Sequence, residues 1–318
     1  MAGRLCRWSA PTRAARWRAV AIVLVLIVPA SLAGLCAWLT EPLAERPAPL
    51  ETAARQPQPP AGTPSVPVAA DRAVSRGWPE GRLEGARAKA LLLDLLLAVE
   101  ARLGKIGGYT ATFHKQERIN GTLGPEQTLA MKVRHQPFAV YFKFLAPREG
   151  KEVVYAEGHH DNKVIAHGGG VGRFLVPRLA VPPDHPLALA DSRHAVTEAG
   201  LSNLTTRLIG YRRMDLDDPE AVTILDRATR SDGRVLLRSV HTHPRRHPER
   251  PFARVEVLYD PETRFPVEIR NFDWPETGRP EDDLLLAEHY SYENVNLDAG
   301  LSALDFDPKN PDYAFHRY

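Results

Sequence analysis

The sequence predicts a mainly β (α+β) domain: an antiparallel sheet of about ten strands covered by one or two helices, preceded by a transmembrane helix. Three observations predict it. Between Tyr109 and His167, short segments rich in aromatic and β-branched residues are separated by clusters of Gly, Asn, Asp and Pro. Within them apolar residues alternate, so Phe138, Val140, Phe142 and Phe144 share one face while Tyr141 and Lys143 share the other. Leu129, Met131 and Val133 likewise oppose Thr128, Lys132 and Arg134. A second series of such segments follows Val222, with no fixed period between the halves to suggest a repeat.

The chain has 318 residues and a formal charge of +2. Residues 1–18 form a basic tail with Arg4, Arg7, Arg13, Arg16 and Arg18 and no acid, so the remainder carries −3. A mildly acidic domain argues against nucleic acid as a partner. Residues 19–39, AVAIVLVLIVPASLAGLCAWL, are uncharged and long enough to span a bilayer. The arginines before them place the N-terminus in the cytoplasm and the domain outside, tethered to the inner membrane and facing the periplasm. A cleaved signal peptide is the rival reading, disfavoured by the length of the apolar run. A lipoprotein reading of LAGLC is weaker, because Leu35 stands where a small residue is expected before Cys36. Residues 40–75 are rich in Pro and Ala and lack an apolar period, which suits an extended linker. Residues 76–318 then form the β domain. Both cysteines, Cys6 and Cys36, precede it, so it has no internal disulfide, thiolate metal site or thiol nucleophile.

The first helix is expected from Leu83 to Leu103. Leu92, Leu95, Leu96, Val99 and Leu103 recur at helical spacing, Leu91, Leu93 and Leu97 widen the apolar face, and Gly104 ends it. Strands are expected over YTATFHKQER, QTLAMKVRHQP, FAVYFKFLAP, EVVYAEG and KVIAH, with the turns INGTLGPE, REGK and HHDN between them. Residues 168–197 form a long aperiodic loop, of the kind that serves as a lid or binding loop. Leu201, Leu204 and Leu208 mark a short amphipathic helix with Thr197 as N-cap. VTILDRAT, RVLLRSVHTH, FARVEVLYD, FPVEIRNFDW and LLLAEHYSYENV complete the strands, with SDG and PETR as hairpin turns. The closing DFDPKNPDYAFHRY is expected to pack its aromatics on the sheet edge.

Chemistry-bearing residues are sparse. His241 and His243 share a strand face, with His247 beyond, and His159, His160 and Asp161 occupy a turn near His167. Converging hairpins could supply zinc ligands, but nothing like H-E-x-x-H, a nucleophile elbow or Cys-x-x-Cys is present, so solvated turn histidines are expected and no metal or cofactor. GGGVG at 168–172 lacks the lysine of a phosphate-binding loop and reads as a flexible hinge. Arg245, Arg246 and Arg250 read as a solvated basic loop, with an anionic headgroup contact as the minority view. Glu117, Glu152 and Glu157 lie on different strands and give no support for a paired-carboxylate hydrolase. No catalytic residue is assigned.

Tyr109, Phe113, Gln116 and Glu117, followed by MKVRHQPFAVYFKFLAPREGKEVVYAEGHHDNKVIAH and closing with DFDPKNPDY, resemble the bacterial domain-of-unknown-function family numbered 1571. The resemblance runs from about Leu91 to Tyr318. The order of elements is also distantly similar to the LolA/LolB lipoprotein carriers, with Pro137–Phe144 and Gly158–His167 in the places of their strand and hairpin. That likeness implies a half-barrel closed by helices and holding acyl chains; the predicted span and the long 168–197 loop depart from it. On this basis Phe113, Met131, Val133, Phe138, Val140, Phe142, Phe144, Val153 and Tyr155 are the candidate cavity lining. The expected function is non-covalent binding of a lipid, acyl chain or acylated protein in the cell envelope, without catalysis. A filled core docking another protein is the alternative, and a histidine-based metal hydrolase the third reading.

Overall fold

The computed structural model describes residues 77–170, 178–275 and 284–317. The predicted basic tail, membrane span and linker (1–75) lie outside the described residues, as do residues 171–177 of the long loop. The chain divides into two units, Met1–Pro64 and Ser65–Tyr318, and every described residue belongs to the second. Among the described residues no helix is long and apolar enough to cross a membrane.

Among the described residues the architecture is mainly β: one large antiparallel sheet and two long helices. The strands are β1 (Leu83–Glu84), β2 (Gly108–Ile119), β3 (Thr122–Leu123), β4 (Gln127–Arg134), β5 (Ala139–Ala146), β6 (Glu152–Ala156), β7 (Val164–His167) and β8 (Leu179–Val181). They continue as β9 (Val222–Thr229), β10 (Val235–Thr242), β11 (Arg254–Tyr259), β12 (Pro266–Asp273) and β13 (Leu285–Asn296). The sheet has 13 strands, more than the ten expected, because β1, β3 and β8 are only two or three residues long and carry no alternation to be read. The spatial order is β1-β9-β10-β11-β12-β13-β2-β4-β5-β6-β7-β8, with β3 beside β2. The two meanders are therefore one sheet, joined where β13 pairs with β2: Tyr292 lies opposite Phe113, Tyr290 opposite Lys115 and Glu288 opposite Glu117.

Helix α1 (Ala86–Leu103) starts three residues later than expected. Leu83 and Glu84 pair with Leu225 and Ile224 of β9 instead, and Gly85, at φ 73°, turns the chain from strand to helix. The stripe Leu92, Leu95, Leu96, Val99 and Leu103 is buried as its spacing requires, but Leu97 is 37% exposed, so the apolar face is narrower than read. A single turn, α2 (Pro186–Leu189), lies within the long loop. Helix α3 (Leu201–Asp217) is far longer than the short helix expected and is preceded by Gly200 (φ 99°) rather than capped by Thr197. Its second half was hidden from apolar periodicity because the residues it buries there include Arg212 and Asp215. Both long helices pack on one sheet face. Val99, Leu103 and Leu201 meet Tyr109, Phe113, Met131, Val140 and Phe142, while Leu92, Leu96 and Leu208 meet Leu225, Leu237, Val257 and Ile269.

The opposite face is covered at β5–β7 by the C-terminal segment. Phe306, Tyr313 and Phe315 pack on Ala139, Tyr141, Val154, Ala156 and Ile165, so these aromatics lie on the back of the sheet and not at its edge. Tyr141 and Tyr313 stack at 4.0 Å between ring centroids. Glu152 fixes the segment: it accepts from the Ala314 amide at 2.7 Å, shares a 2.9 Å hydrogen bond with His167 and accepts from Tyr141 Oη at 3.0 Å.

A charged cluster is enclosed between α3 and β10. Asp215 Oδ1 meets His243 Nε2 at 3.0 Å and Arg250 Nη1 at 3.1 Å, and Oδ2 faces Arg212 Nε at 3.2 Å. Arg212 is 1% exposed and His241 0% exposed, the latter held between Thr223 Oγ1 at 3.1 Å and Ser239 Oγ at 2.9 Å. The expectation of solvated histidines thus fails for His167, His241 and His243; the i, i+2 spacing puts the latter pair on one face, and α3 with Asp215 covers it. It holds for His159, His160 and His247, which are exposed. Arg250 is buried too, unlike the solvated loop arginine expected, because it closes the cluster on Asp215 and Asp218.

Burial disfavours the Asp215 charge, but the His243 bond and the Arg212 charge outweigh it and hold the carboxyl below its usual range. Removing one member of such a set leaves the others buried and uncompensated. Asp215→Ala should therefore cost about 3–5 kcal/mol in urea denaturation, and the Arg212→Met/Asp215→Leu double variant should recover part of that loss. Burial, then the charges of Arg212 and His243, keep His241 well below its ordinary value of 6.5. The unfolded chain therefore takes up a proton there that the folded one does not, and stability is lost as pH falls below 6.5. His241→Gln should flatten that fall in denaturation curves measured from pH 7 to 5.

Candidate functional site

The junction of β13 with β2 forms the floor of a cavity of about 300 Å³. Alternation puts Phe113, Lys115 and Glu117 of β2 on the helix-facing side, beside Tyr292, Tyr290 and Glu288 of β13. The floor is thus graded along the strands, from aromatic to carboxylate. Phe113 lies 5.0 Å from Tyr292 and 6.0 Å from Phe142 between ring centroids, and it stacks on Tyr290 at 5.9 Å. Leu129, Phe144 and Val153 extend the apolar wall on one side, and Phe252, Val255 and Ile269 on the other. The roof is α3, through Leu204, Leu208 and Tyr211, and residues 188–199 of the long loop. This strap crosses the cavity before α3 begins.

The strap is held down chiefly by charge. Arg148 binds Asp191 through both guanidinium nitrogens. Lys115 donates to Ser192 Oγ at 3.1 Å and to the Asp191 carbonyl at 3.2 Å, while the Arg193 amide donates to Glu117 Oε2 at 3.2 Å. His194 bridges two carboxylates, Glu288 Oε2 at 2.8 Å and Glu198 Oε2 at 3.2 Å, and Arg207 of α3 meets Glu198 at 2.7 Å. Beneath the strap, Tyr290 Oη donates to Glu117 at 2.5 Å and lies 3.3 Å from Glu288, whose other oxygen accepts from Asn271 at 2.6 Å. Burial opposes the charge on His194, but its bonds to Glu198 and Glu288 outweigh burial and push its pKa up to about 9. Burial likewise opposes the Glu288 charge and His194 overcomes it, so that carboxyl stays below the usual range. Burial, reinforced by the charges of Glu288 and Glu117, raises the Tyr290 hydroxyl and keeps it a proton donor.

The structure distributes the nine residues singled out from sequence over three settings. Phe113, Phe142, Phe144 and Val153 line this cavity. Val133, Phe138 and Tyr155 line a second cavity of about 440 Å³, bounded by residues 104–107 and the start of α3. Met131 and Val140 are enclosed in the core between them and line neither. The polar wall of the first cavity escaped the sequence reading. Glu117 was noted, but its partner is Glu288 across the β13–β2 junction. Glu152 lies on the far face, and Glu157 accepts from the Phe138 amide. Only the pairing of the domain's first long strand with its last brings Glu117 and Glu288 together, and no local pattern encodes it. Among the described residues no three His, Cys, Asp or Glu side chains are grouped to hold a metal ion. Of the GGGVG run, Gly169 packs so closely on the 148–151 turn that a Cβ would overlap the Arg148 and Glu149 carbonyls and the Lys151 amide. Close approach is thus a requirement there that the hinge reading did not include.

His194 is charged in the folded state up to a pKa of about 9 but only to 6.5 when unfolded, so its hold on the strap is complete below 6.5 and lost as pH rises through 9. Glu288 contributes above 4.5 and its share is lost as pH falls through its depressed value. Hydrogen exchange of amides 188–199, referenced to core amides of β4 and β5, should be slowest between these limits. His194→Gln should speed it about tenfold at pH 7 while leaving the core amides unchanged, the loss of a charge-assisted bond being worth about 1.5–3 kcal/mol at most.

Residues 106–315 match the family model described as protein of unknown function, DUF1571. No curated protein matches the chain. Among solved structures, the chain is similar to a domain described as an outer membrane lipoprotein-sorting protein from Vibrio parahaemolyticus, at 10% identity and TM-score 0.33 over 68% of this chain and 95% of that one. A DUF1329 family protein from Desulfovibrio piger is similar at 12% identity and TM-score 0.34, over 68% and 95%. A LolA superfamily protein from Nitrosomonas europaea is similar at 7% identity and TM-score 0.26, over 67% and 96%.

Proposed function

The chain belongs to the DUF1571 family of proteins of unknown function, and on that premise we propose that it is a carrier, binding the acyl chain of a lipid or acylated protein without covalent chemistry. The acyl chain lies in the cavity between the helix-facing side of the sheet, curled as a half-barrel, and α3. One observation supports this above the others: a space of about 300 Å³ remains between elements whose facing side chains are mostly aromatic or aliphatic. Ligand sites commonly fall in the range of about 300–1,000 Å³ and are lined in this way. Each methylene withdrawn from water contributes about 0.8 kcal/mol, so a chain of modest length binds usefully without any reacting group.

Entry is governed by the strap. Its ion pairs are individually weak where solvent reaches them, and they can re-form without loss of the core beneath. In this reading residues 19–39 hold the domain at the cytoplasmic membrane and residues 40–75 set its reach, with the cavity on the extracytoplasmic side. Nucleic acid has no place in it.

Photoreactive palmitate carrying a diazirine on its tail, added to the full-length protein in amphipol, should label peptides containing Phe142, Leu204 or Phe252. Leu204→Trp, which fills the roof of the cavity, should cut that labelling at least tenfold and leave the melting temperature within a few degrees. Labelling confined to residues 19–39, or unchanged in Leu204→Trp, would remove the cavity from the function.

A further inference from the structure

The charges around the cavity are almost all neutralised by one another. Lys115 has three partners: Glu117 at 3.1 Å, Ser192 Oγ and the Asp191 carbonyl. Arg193 donates to the Arg118 carbonyl at 3.0 Å and pairs with Glu288 at 3.2 Å. His194 and Arg207 are committed to Glu198 and Glu288. The carboxylates are used up by the same bonds.

Lys151 is the exception. Its side chain is 23% exposed and lines the cavity, yet its ammonium makes no hydrogen bond among the described residues. The nearest carboxylate oxygen, Asp191 Oδ2, is 3.8 Å away, and both oxygens of that group already bind Arg148. Lys151 lies instead over the ring of Phe144, 4.8 Å from its centroid. That arrangement is not a slack surface chain. The turn before β6 is fixed by bonds from the Phe144 amide to the Lys151 carbonyl at 2.9 Å and from the Lys151 amide to the Arg148 carbonyl at 3.0 Å. Gly169 braces the same turn from behind, where no Cβ fits. Alternation along β6 then aims Lys151 to the same side as Val153.

The Lys151 ammonium, set over an apolar ring with its counter-charge 3.8 Å away and shared with Arg148, can take a further anion. We propose that Lys151 anchors the head group of the bound amphiphile, taking a carboxylate or phosphate while the tail runs past Phe144 and Val153 towards Phe142 and Phe113. This rests on the carrier reading and adds a selection to it: a single-chain amphiphile with an anionic head is preferred over an uncharged one. Burial lowers the Lys151 pKa, which an anion at this point reverses. A cationic head meets only carboxylates already bonded within the chain, Asp191, Glu198, Glu117 and Glu288, and the unpartnered acceptors on the lining, Gln127 Oε1 and Asn271 Oδ1, are uncharged amides.

The test compares tail-diazirine palmitate with its methyl ester on the full-length protein, scoring label on cavity peptides. The acid should bind at least tenfold more tightly than the ester. Lys151→Met, which keeps the apolar stem, should abolish that difference without weakening the ester, and Lys151→Arg should retain it. Competition by unlabelled palmitoyl lysophosphatidate distinguishes the two anions: displacement below the palmitate concentration, lost in Lys151→Met, assigns phosphate, and weaker displacement assigns carboxylate. Equal binding of acid and ester, or a preference that survives Lys151→Met, overturns the anchor and leaves the carrier reading standing. Absence of cavity labelling by either probe overturns both.

Discussion

The pairing of β13 with β2 is the constraint on which the rest depends. It closes two separate meanders into one sheet and makes the two strands that carry the site into neighbours. Without it Phe113 would lack Tyr292, and Glu117 would face no second carboxylate. The contact is between strands nearly a whole domain apart in sequence, so its loop-closure entropy must be met before it contributes. The aromatic group on either side of the junction, Phe113 with Tyr290, Tyr292 and Phe142, is what offsets that cost. The residues that close the fold are therefore the residues that floor the cavity, so stability and the proposed binding would draw on the same side chains.

Three of the buried charge clusters among the described residues do different jobs. Around Asp215 charge ties α3 to β10 with almost no solvent, a set that tolerates no missing member. At Glu152 it fixes the C-terminal segment to the back of the sheet through one backbone amide and two side chains. Over the cavity the groups are wetter and more numerous, and they join a strap to a floor. The first two clusters, one between α3 and β10 and one on the back of the sheet, are locks. Only the third borders empty space, which is why a function is sought there.

Local structure was legible wherever side chains alternate or recur with one period. The strands from Tyr109 to His167 and from Val222 to Asn296 follow from that alternation, and the buried stripe of α1 from its leucines. What stayed hidden has physical reasons. The second half of α3 buries Arg212 and Asp215, which periodicity scores as solvent-facing. His241 and His243 were correctly placed on one strand face, but whether that face is wet depends on α3, a distant element. Four of the nine residues expected to line a cavity, Phe113, Phe142, Phe144 and Val153, border this one, being on the apolar side of β2, β5 and β6. The polar wall was not readable, because Glu288, His194 and Lys115 meet only through the β13–β2 pairing and the path of the strap.

The division of labour between strap and floor bears on how such a site could both hold and release. A roof of packed hydrocarbon would have to expose apolar surface in order to open, and that cost grows with every side chain lifted. Residues 188–199 bring small apolar groups to the cavity, Ala188, Ala195, Val196 and Ala199, alongside the polar Asp191, Ser192, Arg193, His194 and Glu198 that fasten the strap. Lifting the strap exchanges ion pairs for water, a nearly even trade where solvent already reaches them. The floor meanwhile keeps its aromatic packing and its own hydrogen bonds. In the carrier reading, opening is confined to this one segment, and affinity would remain with the sheet. That separation is what the proposed carrier role would need, and it follows from which residues are charged and which strand each one stands on.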